Sequence, residues 1–214
     1  MSRKMQNNLF ILHKHSFKYI AYAFAAFLLL SMLDLELLAT AAFIFMLICA
    51  YLFRNPEKSF VSYEKNALVS PVDGKVVKIE EIEDDRYGYR VEIESGYLDV
   101  SVLRVPFEST LKEMNLVNGT RVSTKSKLFN KLNEYASLEL ADDNEHTIKL
   151  IHRLGRSFAP LYIDIYKDEK LQNRARYGVM LNGITTIYLP KSFKLNVNVG
   201  NQISGSETLL GYFL

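Results

Sequence analysis

The chain has one cysteine, Cys49, and it lies inside an apolar run. A lone cysteine excludes an intramolecular disulfide and a cysteine-based zinc cluster, and gives no sign of an oxidising compartment. Charge of one sign is also scarce, with a formal net charge of +2 over 214 residues. Residues 59–214 carry 20 Lys and Arg against 21 Asp and Glu. That part of the chain lacks the basic face that nucleic acid requires. Internal repeats and low-complexity tracts are missing. Neither a metal site nor a nucleic-acid partner is expected.

The basic excess sits at the start. Residues 1–58 carry six bases (Arg3, Lys4, Lys14, Lys18, Arg54, Lys58) against Asp34, Glu36 and Glu57. Two apolar runs fill this region, Tyr19–Leu33 and Leu37–Phe53, each at or just under the ~17–25 residues that span a bilayer. Both are apolar all round, which favours lipid over a soluble core. Basic flanks and an acidic connection at Asp34 and Glu36 place both ends in the cytoplasm by the positive-inside rule. Ser31-Met32-Leu33-Asp34 makes a poor signal-peptide cleavage site, and a second apolar run follows at once. A single tilted helix and a re-entrant hairpin stay open, because both runs are short.

From Ala67 the pattern changes to short alternating runs. Ala67–Val69, Lys75–Ile79, Arg90–Ile93, Leu98–Val105, Thr147–Ile151, Leu161–Tyr166, Gly178–Leu181, Thr185–Leu189 and Lys194–Val199 read as strands, punctuated by glycines. Ser126–Ala136 reads as a short helix without a start signal. The expected fold is mainly β, a β-rich barrel-sandwich, behind an N-terminal transmembrane helical hairpin. The segments are a basic cytoplasmic N-terminus (1–18), the hairpin (19–53), a linker (54–66) and the β domain (67–214). The turns at Ser70–Val77 and Val199–Leu210 have the style of biotinyl and lipoyl carriers, but no lysine sits at a symmetric hairpin tip.

Six stretches, in order along the chain, resemble the phosphatidylserine decarboxylase family, especially its short membrane-hairpin branch. They are Phe53-Arg54-Asn55-Pro56-Glu57, Val69-Ser70-Pro71-Val72-Asp73-Gly74-Lys75-Val76 and Leu98-Asp99-Val100-Ser101-Val102-Leu103-Arg104-Val105-Pro106. Asp143-Asn144-Glu145-His146 follows. Next comes Arg176-Tyr177-Gly178-Val179-Met180 with Ile187-Tyr188-Leu189-Pro190. The last is Val199-Gly200-Asn201-Gln202-Ile203 with Gly205-Ser206-Glu207-Thr208. The resemblance implies a precursor that cleaves itself at a Gly-Ser bond. The serine becomes a pyruvoyl group that acts as electron sink in decarboxylation, and an Asp–His pair activates the hydroxyl.

The chain departs from that pattern where the chemistry sits. At the cleavage junction it reads Asn182-Gly183-Ile184-Thr185-Thr186, one residue short, so Gly183 or Ile184 stands in the serine position. Ser101 stands where the family has histidine, beside a retained Asp99. Nucleophile and base are both gone. Asp99, Ser101, Gly183 and Ile184 are then vestigial positions. Thr185 is a fallback nucleophile that would give a ketobutyryl group. Ser206 follows a glycine but lies too near the C-terminus to leave the family's small chain. His146 and His152 read more readily as surface or packed histidines than as bases, and Asn182-Gly183 as a turn. Arg104 has two readings, a lipid phosphate ligand or a partner for Asp99.

The expectation is an inactive family member at the inner, cytoplasmic membrane that binds or regulates phospholipid. Asp99 and Arg104 would be its lipid-binding residues, with Thr185 lining the same pocket. Phosphatidylserine, a membrane-protein partner or a homo-oligomer are the expected company. No cofactor is expected, and a pyruvoyl-type group only if a displaced nucleophile makes the chain an active decarboxylase.

Overall fold

A computed structural model of the chain describes residues 12–59, 63–64 and 66–214. Arg3 and Lys4, most of the basic N-terminus and part of the expected linker lie outside these residues. A short 3-10 turn, Lys14–Ser16, leads into helix α1 (Phe17–Met32). Helix α2 (Glu36–Leu52) follows. The link is tight because Asp34 takes a left-handed conformation (φ 54°), which Asp tolerates better than most residues. Leu35 N–H donates back to Leu30 O at 3.0 Å and closes the end of α1. The side chains these helices bury are mostly small, Ala23, Ala39 and Cys49, with Leu52 at the domain end. Large apolar ones point outward, and Tyr22, Met32 and Leu37 are 74%, 83% and 84% exposed. Lys14–Met32 is long and apolar enough to cross a membrane, whereas Glu36–Leu52 is shorter.

Fourteen strands are described: β1 (Ala67–Val69), β2 (Gly74–Glu81), β3 (Tyr89–Ser95), β4 (Val102–Arg104), β5 (Ser109–Val117), β6 (Tyr135–Ala141), β7 (Thr147–Leu154), β8 (Tyr162–Ile163), β9 (Lys170–Leu171), β10 (Arg176–Val179), β11 (Gly183–Leu189), β12 (Phe193–Leu195), β13 (Gln202–Ile203) and β14 (Leu209–Phe213). The main sheet has eight, in the order β13-β2-β3-β11-β7-β6-β5-β9. Two three-stranded sheets, β1-β14-β12 and β4-β10-β8, complete the domain. Ladder pairs are antiparallel throughout the described strands. The fold is mainly β with apolar N-terminal helices, as the sequence implies.

The core follows from period-two alternation. Strand β7 turns Ile148, Leu150, His152 and Leu154 inward, and β6 turns in Ala136, Leu138 and Leu140. The leucines and Ile148 of these strands form one apolar cluster with Val76, Val91, Ile93, Ile187 and Leu189, and His152 is a buried polar residue beside it. A second cluster of Leu52, Phe53, Ala159, Val179 and Leu181, with Tyr19 and Tyr162 against it, roots the helices in the domain.

Two expected elements differ. The run Leu98–Val105 is a strand only over Val102–Arg104. Asp99 turns back to accept a hydrogen bond from Gly96 N–H (2.8 Å), and Arg54 Nη2 donates to Leu98 O (2.6 Å), so 96–99 forms a turn. The helix expected at Ser126–Ala136 is one turn, α3 (Phe129–Leu132). The buried Asn133 amide then ties the chain to Val122 and Leu154, and β6 begins at Tyr135. Strands β5, β6, β9, β13 and most of β14 fall outside the expected runs.

Candidate functional site

The segment that the family resemblance aligns with a cleavage junction opens β11 and is paired on both sides. Gly183 faces Ser95 of β3 and Leu154 of β7, and Ile184 faces Glu94 and Arg153. A Cβ on Gly183 would lie 2.2 Å from Arg153 O, so backbone approach demands glycine there. Ile184 is half-buried and carries no hydroxyl. Neither residue fits a pyruvoyl group. Ser101, which the resemblance aligns with the family's histidine, is buried and donates from Oγ to Leu52 O at 2.8 Å, fastening the domain to the end of α2.

Next to the junction, Thr185 and His152 form a directly opposed cross-strand pair. His152 Nδ1 lies 2.9 Å from Thr185 Oγ1, and its Nε2 lies 2.5 Å from the Tyr177 hydroxyl. A neutral imidazole donates from one nitrogen and accepts at the other, and two hydroxyls satisfy either tautomer. Burial pushes His152 down to about 3 and Tyr177 above its ordinary value. Thr185 and His152 are fully buried and Tyr177 nearly so, and none of the three lines a cavity described here. His146 is remote from them. It caps the β6–β7 hairpin, with Nδ1 2.7 Å from Asp142 Oδ2 and its ring stacked on Phe213.

Asp99, Arg104 and Thr185 do not meet in hydrogen-bond contact. Asp99 accepts from Gly96 and, at 3.4 Å, from Gln202 Nε2. Arg104 is 6% exposed and donates from Nη2 to Pro56 O (3.0 Å) and Asn55 Oδ1 (3.5 Å). Burial and then the like charge of Arg176 lower its guanidinium to about 10, against the pull of Asp73, Glu57 and Glu207. Its acidic neighbours therefore come from other loops, not from Asp99.

Those loops are the resemblance motifs. Lys58 Nζ donates to Asp73 Oδ2 (2.8 Å) and Ser204 Oγ (2.7 Å). Asp73 Oδ1 accepts from Gly205 N–H (2.7 Å), and Ser206 N–H donates to Ser70 O (2.8 Å). Arg104 N–H donates to Pro71 O (2.9 Å), and Arg176 Nη2 to Glu57 Oε1 (3.1 Å). Five of the six stretches thus converge, and only Asp143–His146 lies apart. At their meeting point is a cavity of about 260 Å³ lined by Glu57, Lys58, Arg104, Arg174, Arg176 and Ser206, among others. Of these lining residues, sequence reasoning read only Arg104 as a lipid ligand. The Arg174-x-Arg176 spacing, which puts two bases on one face of an extended chain, was the available signal.

Among the described residues one group brings metal-ligating atoms together: His13, His15 and Asp164 lie within 4.8 Å of one another. Lys14 Nζ sits 2.9 Å from Asp164 Oδ1 and His15 Nε2 3.0 Å from it, so the carboxylate already holds cationic and polar partners.

The sequence profile of the phosphatidylserine decarboxylase family matches residues 45–211. Among curated proteins, the phosphatidylserine decarboxylase proenzyme of Rickettsia typhi is 28% identical, covering 98% of this chain and 94% of its own length. That of Ehrlichia ruminantium is 26% identical over 94% and 90%. That of Desulfotalea psychrophila is 28% identical over 89% and 92%.

Proposed function

The chain belongs to the phosphatidylserine decarboxylase family, and on that premise we propose that it is a member without the family's chemistry, a membrane-anchored pseudoenzyme that binds phospholipid. The observation that carries this is the junction. Gly183 is held against Arg153 O with no room for a side chain, Ile184 has no hydroxyl, and the Ser101 hydroxyl is committed to α2. With no nucleophile at the junction and no imidazole at the Asp99 turn, self-cleavage has neither of its two groups. The apolar helices would anchor the protein in the inner membrane with the β domain on the cytoplasmic side. Its company would be the phospholipid bilayer, phosphatidylserine within it, and a membrane protein or a second copy of the chain. The intact mass of the purified full-length protein tests the inactive reading, for which one uncut 214-residue chain is expected. Lipid adducts seen by native mass spectrometry, from bilayers with and without phosphatidylserine, test the binding reading.

One observation favours a second reading. His152 Nδ1 lies 2.9 Å from Thr185 Oγ1, the hydroxyl–imidazole contact that an activated nucleophile needs. Cleavage before Thr185 would leave a 2-ketobutyryl group on the second chain. Against it, both groups are buried in the core between paired strands. A fragment beginning at residues 184–186 with a blocked N-terminus would establish this reading and end the first.

A further inference from the structure

The cavity where the five stretches converge has four bases and one acid among its charged lining residues: Lys58, Arg104, Arg174 and Arg176 against Glu57. Lys58 is balanced by Asp73 at 2.8 Å and Glu207 at 3.8 Å. Glu57, largely exposed at the mouth, reaches Arg176. Arg104 makes no direct ion pair, and Asp73, Glu57 and Glu207 act on it only from beyond contact distance. Its hydrogen bonds go to two neutral oxygens, and its buried Nε has no hydrogen-bond partner. A buried guanidinium with no carboxylate in contact is costly, and structures rarely keep one without a use for it. Ser206 is a second orphan, 1% exposed on the same wall, with a buried hydroxyl that has no partner. Arg174 and Ser206 are also two of the five described non-glycine residues held at left-handed φ, near 66°. Such conformations gather where a surrounding structure imposes them for a site.

We propose that this cavity is an anion site that takes a phosphoryl group, held by the guanidinium groups of Arg104, Arg174 and Arg176 with the Ser206 hydroxyl as a further donor. Guanidinium groups match phosphoryl oxygens two at a time, and a hydroxyl donor adds a fourth direction. The volume, just under the ~300–1,000 Å³ usual for a whole small ligand, suits a headgroup rather than a complete lipid. A lipid source rests on the phospholipid-binding role proposed above, while the anion chemistry stands without it.

The test uses the full-length chain in neutral detergent. Inorganic phosphate should raise its unfolding temperature relative to chloride at matched ionic strength. Arg174→Gln and Ser206→Ala, two changes that leave the Arg104 core intact, should each weaken the apparent phosphate affinity by about tenfold. Equal stabilisation by phosphate and chloride, or a phosphate effect the same in wild type and both variants, overturns the site. The second arm adds micelles doped with phosphatidic acid or phosphatidylserine. Competition with phosphate identifies a lipid source; phosphate binding that neither lipid disturbs keeps the anion site, points to a soluble phosphate ester and ends the lipid role. Lipid preference that survives both variants without a phosphate effect keeps the lipid role and removes this cavity from it.

Discussion

His152 sits in the core as a base that burial keeps neutral, its value near 3 against an ordinary 6.5; His13 is lowered to about 4 for the same reason. Unfolding exposes both imidazoles, so between roughly pH 4 and 6.5 the unfolded chain binds more protons than the folded one. Stability is therefore full above about pH 6.5 and falls as the pH drops, by up to ~1.4 kcal/mol per pH unit for each histidine. Denaturant titrations at pH 7, 6 and 5 should show this decline, and His152→Gln should cut the slope to about half. A slope unchanged in that variant would put the titration elsewhere. Gly183 makes the sharper case. Gly183→Ser supplies the missing hydroxyl, yet its Cβ meets Arg153 O, so a cost of roughly 1–3 kcal/mol is expected. The variant should lose thermal stability and still run as one chain; efficient cleavage would mean that the strands part easily. The candidate site was only partly legible in the sequence. That Ile184 and Ser101 stand where the resemblance aligns a serine and a histidine is a statement about residue types, and it needs no geometry. That Thr185 opposes His152, or that Asp73 receives Lys58, depends on strand register and loop closure across more than a dozen residues, which local pattern does not encode.

Among the elements, those with strong local signals were the ones the sequence made plain. The two apolar runs became α1 and α2 within two residues, and β3, β7 and β11 fall on the expected alternations. Strand β6, Tyr-Ala-Ser-Leu-Glu-Leu-Ala, has clean alternation in burial, but Ala, Leu and Glu are good helix formers and hid it. Strand β5 is exposed along much of its length and meets only two-residue β9 on its outer side, so its Lys112, Glu113 and Asn115 blurred the pattern. Propensity lost to pairing in both. The helix pair makes its own prediction. If α1 and α2 both cross the bilayer, cysteines placed at Leu35, in the exposed connection, and at Glu80, on β2, should react with impermeant reagents from opposite sides. Cys49 is buried and should contribute little background. Labelling of both from one side would show a pair that enters and returns.

At the scale of the whole molecule, the helices and the β domain are fastened to each other at several points. Asp164, just past β8, takes Lys14 and His15 from the segment before α1. Burial alone would raise its carboxyl, but hydrogen bonds from Lys14 and His15 outweigh that and hold it below its usual range. Phe53 is fully buried, stacked against Tyr19 and edge-on to Phe158, and the Tyr19 and Tyr162 hydroxyls lie 3.0 Å apart. Asp164→Asn should cost roughly 1–2 kcal/mol, since charge-assisted hydrogen bonds to a partly exposed carboxylate are lost. It should also speed proteolysis near residues 12–16, and an unchanged digestion pattern would show that the aromatic root suffices alone. The root fixes a distance as well. Five residue steps separate Leu52 at the end of α2 from Glu57 on the cavity wall, a reach of about 17 Å even when extended. With α1 and α2 in a bilayer, the cavity stays within touch of the lipid surface and searches it in two dimensions. Any lipid that fills it must come from the same leaflet, so occupancy would follow the mole fraction of that lipid in the leaflet and would be indifferent to the volume of the cell.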